Sequence, residues 1–276
     1  MQNRVVQKEV VLLAHWSYLA QVADACELTR AEITEAAVKG AVWRKKSGKR
    51  IKLDRIRDIE KDANAGDTVF VNYDRSVLDQ QPDQPVLVSD QGNYSVWYKP
   101  QGMLSQGSKW SDHCTLTMTA ATVHGKKCLL VHRLDRAARG LVVIAHTKNA
   151  CTEMAALFAA RKVEKIYNAT VHGPVDRTLP WSINTPIDGK DALSVVLEAE
   201  YDASANTTQL KIDIKTGRKH QIRSHLSAAG FPVVGDRLFD AAREHTVNLE
   251  LVASELQFQC PFSKDTRHIV LADSLQ

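Results

Sequence analysis

The sequence predicts an α+β protein of two domains, a small N-terminal α+β unit and a larger unit of mainly antiparallel strands with flanking helices. Three observations carry that reading. The chain has 276 residues, long for one hydrophobic core and comfortable for two. Short apolar or alternating runs bounded by Gly, Pro and Asn recur to the end of the chain, whereas helical periodicity is confined to a few segments. Residues 79 to 85 read DQQPDQP, polar with two prolines, which is a linker composition. The predicted division is a first domain at 1–78, a linker and first strand at 79–90, and a second domain at 91–276.

Within the first domain, Tyr18 to Ala25 is amphipathic and reads as a short helix. A second helix starts at Thr29: Glu32 completes a capping box, Leu28 and Ile33 are spaced as a hydrophobic staple, and Gly40 ends it. AVW at 41–43 and, after the turn AGD at 65–67, TVFVNY at 68–73 read as strands. From Lys39 to Arg57 the chain carries nine Lys or Arg residues against one acid, Asp54. Such a run is often a solvated loop, but it is also what a phosphate-tracking surface needs, and Lys45, Lys46, Lys49 and Arg50 at its centre are the candidate RNA contacts. Residues 14 to 73 resemble the alpha-L (S-four-like) RNA-binding module, whose typical ending is a Gly-Asp turn before a last strand, with a longer basic insert here.

In the second domain, VLVSDQGNYSVWYKPQGM at 86–103 predicts strand, turn at Gly92-Asn93, strand, and a stop at Lys99-Pro100. Helices are predicted around Asn149 to Arg161 and Arg218 to Ala229, the latter closed by Gly230 and Pro232. KIYNATVHG at 165–173 alternates as a strand that puts Lys165, Tyr167, Ala169 and Val171 on one face. In LKIDIKTGRKHQIRSHL at 210–226 a strand passes through a Thr-Gly turn into a helix, and the predicted first turn carries Arg218, Lys219 and His220, a ready anion site.

Composition narrows the function classes. No apolar stretch approaches the roughly 20 residues of a bilayer crossing, and MQNRVVQKEV lacks the basic-then-apolar profile of a signal peptide, so a cytoplasmic protein with no membrane partner is expected. Five scattered cysteines without a C-x-x-C pair predict free thiols, and His113 beside Cys114 lacks the partner pair of a metal site. The net charge of +4 is mild but concentrated in the basic run.

VHRLDRAARGL at 131–141 sets His132, Arg133, Asp135, Arg136 and Arg139 between two apolar runs, CLLV and LVVIA. Neighbouring cations favour the carboxylate form of Asp135, which suits it to attack or to accept a proton. Taken alone, RLD is more often a structural ion pair in a loop than a catalytic site. With YSVWYKPQGM, HRLD, KIYNATVHG, TGRKHQIRSHL, GFPVVGD and LVASELQFQCP in order, the second domain resembles the RluA family of RNA pseudouridine synthases.

That resemblance implies a pseudouridine synthase fold and a cofactor-free isomerisation of uridine in structured RNA; a monomer is expected. Asp135 matches the catalytic aspartate, Tyr167 the active-site tyrosine, and Arg218 the arginine that pairs with the aspartate. Asp135 would attack the anomeric carbon, as a retaining glycosidase nucleophile does, or take the ribose 2′ proton. Tyr167 would stack on the uracil and help remove the proton at the new linkage. His132, Arg133, His220 and Arg223 are candidate RNA contacts around a flipped base. Ribosomal RNA is the favoured partner and transfer RNA the alternative. One departure stands out: where the family has Thr-Ser-Gly, this chain has Ala138, Arg139 and Gly140, so its loop support must differ. Two other functions compete, an inactive RNA-binding assembly factor and an Asp135 hydrolase that would lack its second carboxylate.

Overall fold

The computed structural model describes residues 4–14, 16–48, 52–240, 243 and 246–275. Lys49 and Arg50 of the basic run lie outside the described residues. The chain forms two compact units, Met1–Pro82 with Gln106–Thr119, and Asp83–Ser105 with Ala120–Gln276.

The first unit follows the order β1 (Val5–Val11), α1 (Tyr18–Cys26), α2 (Arg30–Val38), β2 (Val42–Lys45), β3 (Leu53–Arg55), α3 (Ile59–Asp62), β4 (Thr68–Asp74) and α4 (Arg75–Leu78). Both halves of the expected capping box form: the Glu32 amide donates to Thr29 Oγ1 at 3.2 Å, and the Thr29 amide donates to the Glu32 carboxylate at 2.8 Å. Such a cap is worth about 1 kcal/mol. Gly40 takes φ +84° where the chain leaves α2, and a Cβ there would collide with Asp112 and Arg57. The four strands pair antiparallel in the order β1-β4-β2-β3. Ile33, Ala36 and Ala37 of α2 pack with Val22 of α1 and with Val69, Val71 and Tyr73 of β4.

In the described part of the basic run β2 and β3 pair antiparallel, and much of the charge is used internally. Lys39 pairs with Glu35 at 2.7 Å, Arg44 and Lys52 face Asp54, and Arg55 and Arg57 converge on Asp112. The sequence count had only Asp54 to set against these cations; Asp112 comes from a segment more than fifty residues further on. Among the described residues Lys45 and Lys46 carry no ion pair, Lys46 being exposed and Lys45 half-buried.

The second unit contains β5 (Val86–Asp90), β6 (Tyr94–Lys99), most of α5 (Leu116–His124), β7 (Leu129–Leu130), β8 (Arg139–Ala145), α6 (Lys148–Ala159), β9 (Val163–His172), β10 (Trp181–Ile183), β11 (Ser194–Asp202), β12 (Thr207–Ile214), α7 (Gln221–Ala228), β13 (Leu251–Gln259) and β14 (Thr266–Val270). Ten strands form one sheet, β10-β11-β12-β9-β13-β8-β6-β5, with β14 beside β13 and β7 beside β8. Every pairing is antiparallel except β8 with β13, where Arg139 meets Val252 and Gly140 meets Ala253. Gly140, at φ +120°, is needed there because a Cβ would enter the Ala253 backbone. The alternation of β9 is realised, with Val163, Lys165, Tyr167, Ala169 and Val171 all buried.

Helix α7 starts three residues later than its sequence suggests. His220 adopts a left-handed conformation, φ 56°, so the helix begins at Gln221. Arg218, Lys219 and His220 therefore precede the first turn. Among the described residues no helix is long and apolar enough to cross a membrane.

Candidate active site

Four segments of the second unit meet at a cleft of about 370 Å³: the loop 131–138, the middle of β9, the end of β12 and the start of α7. The loop is held from below by Lys99 at the end of β6. Its side chain is fully buried, and its ammonium donates to the carbonyls of Pro100 at 2.8 Å, Met103 at 3.0 Å and Ala138 at 2.7 Å. Burial pulls this lysine down to about 7, against the opposing charge of Asp135. Ser105 Oγ donates to the Leu134 carbonyl and accepts from the Leu134 amide, both at 3.1 Å. Arg139 pairs with Glu250 at 2.9 Å. These contacts are the loop support that the missing Thr-Ser pair left open.

His132 also belongs to that support. Its Nε2 accepts from the Val143 amide at 3.0 Å and its ring stacks on Phe158 at 4.3 Å. Burial pushes it down to about 3, with Lys165 adding to the effect, so the ring is neutral. The structure thus places His132, expected among the RNA contacts, in the support of the loop, with Nε2 on the Val143 amide.

Asp135 projects into the cleft with its side chain 21% exposed. His220 Nε2 stands 3.7 Å from Oδ1 and Arg223 Nη1 3.6 Å from Oδ2, both longer than a hydrogen bond. Arg223 is itself fixed: it donates from Nε and Nη2 to the two oxygens of buried Asp236 at 2.7 and 2.6 Å and lies over Phe239 at 5.2 Å. Burial opposes the charges of Arg223 and Asp236, and their mutual hydrogen bonds outweigh it, raising the guanidinium and lowering the carboxyl. Burial lowers His220, with the Asp135 charge opposing.

The arginine that pairs with Asp135 is thus Arg223, not Arg218. Arg218 lies in the loop before α7, where its Nε donates to the Asp191 carbonyl at 2.8 Å and its amide to Gln221 Oε1 at 3.0 Å. The left-handed turn at His220 separates the two arginines and leaves Arg223 on the buried side of the helix. Arg218 and exposed Arg133 instead line the cleft wall. Tyr167 forms the cleft floor from β9; burial, and then the charge of Asp135, push its hydroxyl up, so it stands as a neutral phenol. Sequence reasoning gave no role to Lys99, Ser105 or Asp236. Lys-Pro at a strand end and the Gly-Asp of GFPVVGD marked two of them as motifs, but their partners are set only by the fold.

The family profile described as RNA pseudouridylate synthase matches residues 93–228. The dual-specificity RNA pseudouridine synthase RluA of Vibrio parahaemolyticus is 34% identical over 191 residues, 62% of this chain and 76% of that protein. This chain belongs to the RluA family of RNA pseudouridine synthases. The RluA of Escherichia coli K12 is likewise 34% identical, over 175 residues and 79% of its own length. The human RNA Pseudouridylate Synthase Domain Containing 1 shares the fold, with a TM-score of 0.59 over 71% of this chain and 89% of that one at 23% identity. As an RNA pseudouridine synthase the protein isomerises uridine within RNA to pseudouridine. The motif positions Asp135, Tyr167 and Arg223 meet at one cleft, and the departure after HRLD leaves that meeting intact.

Proposed function

We propose that Asp135 starts the isomerisation at the ribose of a uridine in ribosomal RNA, by attack on the anomeric carbon or by taking the 2′ proton. The observation that carries this reading is the way Asp135 is held. Its counter-charge, Arg223, is locked by Asp236, while the carboxylate itself stays 3.6 Å away and open to the cleft. A preorganised guanidinium keeps the carboxylate oriented and needs no rearrangement when charge moves. Tyr167 presents its ring face to the uracil and, as a neutral phenol, its hydroxyl as a donor. Arg133, Arg218 and His220 at the cleft wall meet the ribose and backbone of a nucleotide flipped out of its stack.

The first unit supplies the preference for a large RNA. Its fold order and Gly66-Asp67 turn before β4 support an alpha-L type module, and Lys45 and Lys46, which carry no ion pair among the described residues, give it cations for phosphate. A second binding module adds affinity through effective concentration, which favours ribosomal RNA over a short transfer RNA stem. We read the chain as acting as a monomer.

The decisive experiment incubates the parent protein and Asp135→Asn with unmodified transcripts of ribosomal and transfer RNA and assays pseudouridine. The parent is expected to convert ribosomal RNA, and the variant to make no product while binding RNA within a few-fold of the parent. Turnover by the variant would remove Asp135 from the mechanism. Conversion of transfer RNA alone would overturn the substrate, and release of free uracil would point to hydrolysis.

A further inference from the structure

Lys165 is a buried cation without a partner among the described residues. It sits two residues before Tyr167 on the same face of β9, roughly 7 Å along the strand, and is 9% exposed. No hydrogen bond or ion pair from those residues reaches its ammonium, and burial lowers it, with Asp213 opposing through space. Asp213 is itself bound by Lys215. An ammonium left in this state is unfavourable unless an anion or water completes it.

What it faces is a second cleft of about 410 Å³. Arg133, Tyr167, Ile214, Gly217 and Arg218 line both this cleft and that of Asp135, so the two adjoin. Arg133, Arg161, Lys165, Lys215 and Arg218 bring cations to it, and no carboxylate lines it among the described residues.

We propose that this second cleft is a phosphate subsite that takes the RNA phosphodiester group adjacent to the target uridine, with Lys165 as its buried anchor. The inference rests on the reading that the uridine occupies the Asp135 cleft. A base flipped into that cleft brings its backbone past Tyr167 and Arg218, and the next phosphate then meets the wall of cations. Contacts of this kind fix the register of the strand without reading its sequence. They also offset the cost of holding a base out of its stack.

The test compares the full chain with Lys165→Met and Lys165→Arg on unmodified transcripts of ribosomal and transfer RNA. Lys165→Met is expected to raise KM about tenfold, to lower the slope of log affinity against log salt by about 0.7, and to leave the single-turnover rate at saturating RNA nearly unchanged. Its Tm is expected to match or exceed that of the parent, because an apolar chain replaces an uncompensated buried charge. Lys165→Arg is expected to restore KM and the slope. Unchanged KM and slope in Lys165→Met would overturn the subsite, as would a fall in Tm and rate together that arginine does not rescue. If the parent makes no pseudouridine, the reading of the Asp135 cleft fails, and the salt slopes decide the subsite by themselves.

Discussion

Asp112 in the first unit and Asp135 in the second both sit among arginines, and they are held in opposite ways. Arg55 and Arg57 close directly on one oxygen of Asp112, and Arg55 stacks over Trp43 at 4.3 Å. At Asp135 the cations stand back at 3.6 and 3.7 Å, and the arginine spends its two best hydrogen bonds on a different carboxylate, Asp236. A structural ion pair brings charge directly onto its carboxylate. A reactive one keeps its carboxylate open and locks the counter-ion elsewhere, so that a substrate atom can enter without breaking the support. RLD in a loop is ambiguous as sequence, and this difference in bonding supports the reactive reading proposed for Asp135.

The strongest way to break the comparison is to remove one arginine from each cluster. Arg223→Met strands the buried carboxylate of Asp236, for which a loss of about 3–5 kcal/mol is expected, and it withdraws the charge facing Asp135, for which a rate loss of roughly 10²–10³ is expected. Arg55→Met is expected to destabilise the first unit while the single-turnover rate at saturating RNA holds. Urea unfolding and single-turnover assays of both variants check this. A rate loss in Arg55→Met equal to that of Arg223→Met would erase the distinction between the clusters.

Acid provides the next largest effect, through the loop that carries Asp135. Unfolded, His132 takes a proton near pH 6.5; folded, burial and then the charge of Lys165 delay this to about 3, and the bare Nε2 accepts from the Val143 amide. The unfolded state therefore holds the extra proton between these values, so the contribution of His132 is complete above pH 6.5 and shrinks toward pH 3, by at most about 1.4 kcal/mol per pH unit. Thermal melts from pH 7 to pH 4 are expected to fall more steeply for the parent than for His132→Asn, whose amide oxygen can accept the same hydrogen bond. Parallel curves would show that the loop is not pinned by a neutral ring.

These tests also mark what could be read from residues alone. The alternation of KIYNATVHG put Tyr167 on one face with Lys165, Ala169 and Val171, and β9 buries that face. The capping box of Thr29 and Glu32 forms as spaced. TGRKHQIR, by contrast, holds two arginines five residues apart, and only the left-handed turn at His220 decides which one faces the carboxylate. A local pattern cannot reveal a conformation that tertiary packing imposes on a non-glycine residue. The basic run was similarly opaque, since its acid, Asp112, is distant in sequence. The parallel pairing of β8 with β13 joins strands more than a hundred residues apart and leaves no mark on either segment.

Arg218→Ala sharpens the assignment within the cleft. With its Nε on the Asp191 carbonyl and its place on the wall of both clefts, Arg218 is expected to act on binding. KM should rise up to roughly tenfold with kcat nearly unchanged, the pattern of an interaction made equally in ground and transition states. A fall in kcat matching that of Arg223→Met would return the pairing role to Arg218.

The smallest expected effect concerns the cations of the first unit that no acid neutralises. Lys45 and Lys46 are the cations of the described basic run that no acid neutralises, in contrast to Arg55 and Arg57. If they touch phosphates, Lys45→Gln with Lys46→Gln is expected to weaken binding to a ribosomal RNA transcript several-fold and to lower the slope of log affinity against log salt by somewhat under 2 units, since each lysine that no longer neutralises a phosphate leaves about one counterion in place. The single-turnover rate at saturating RNA is expected to hold, because sites that share no partners contribute nearly independently. Binding isotherms from low to high salt decide the matter: superimposed lines for the parent and the double variant would make the basic run a solvated surface and shift the burden of RNA affinity onto the catalytic unit.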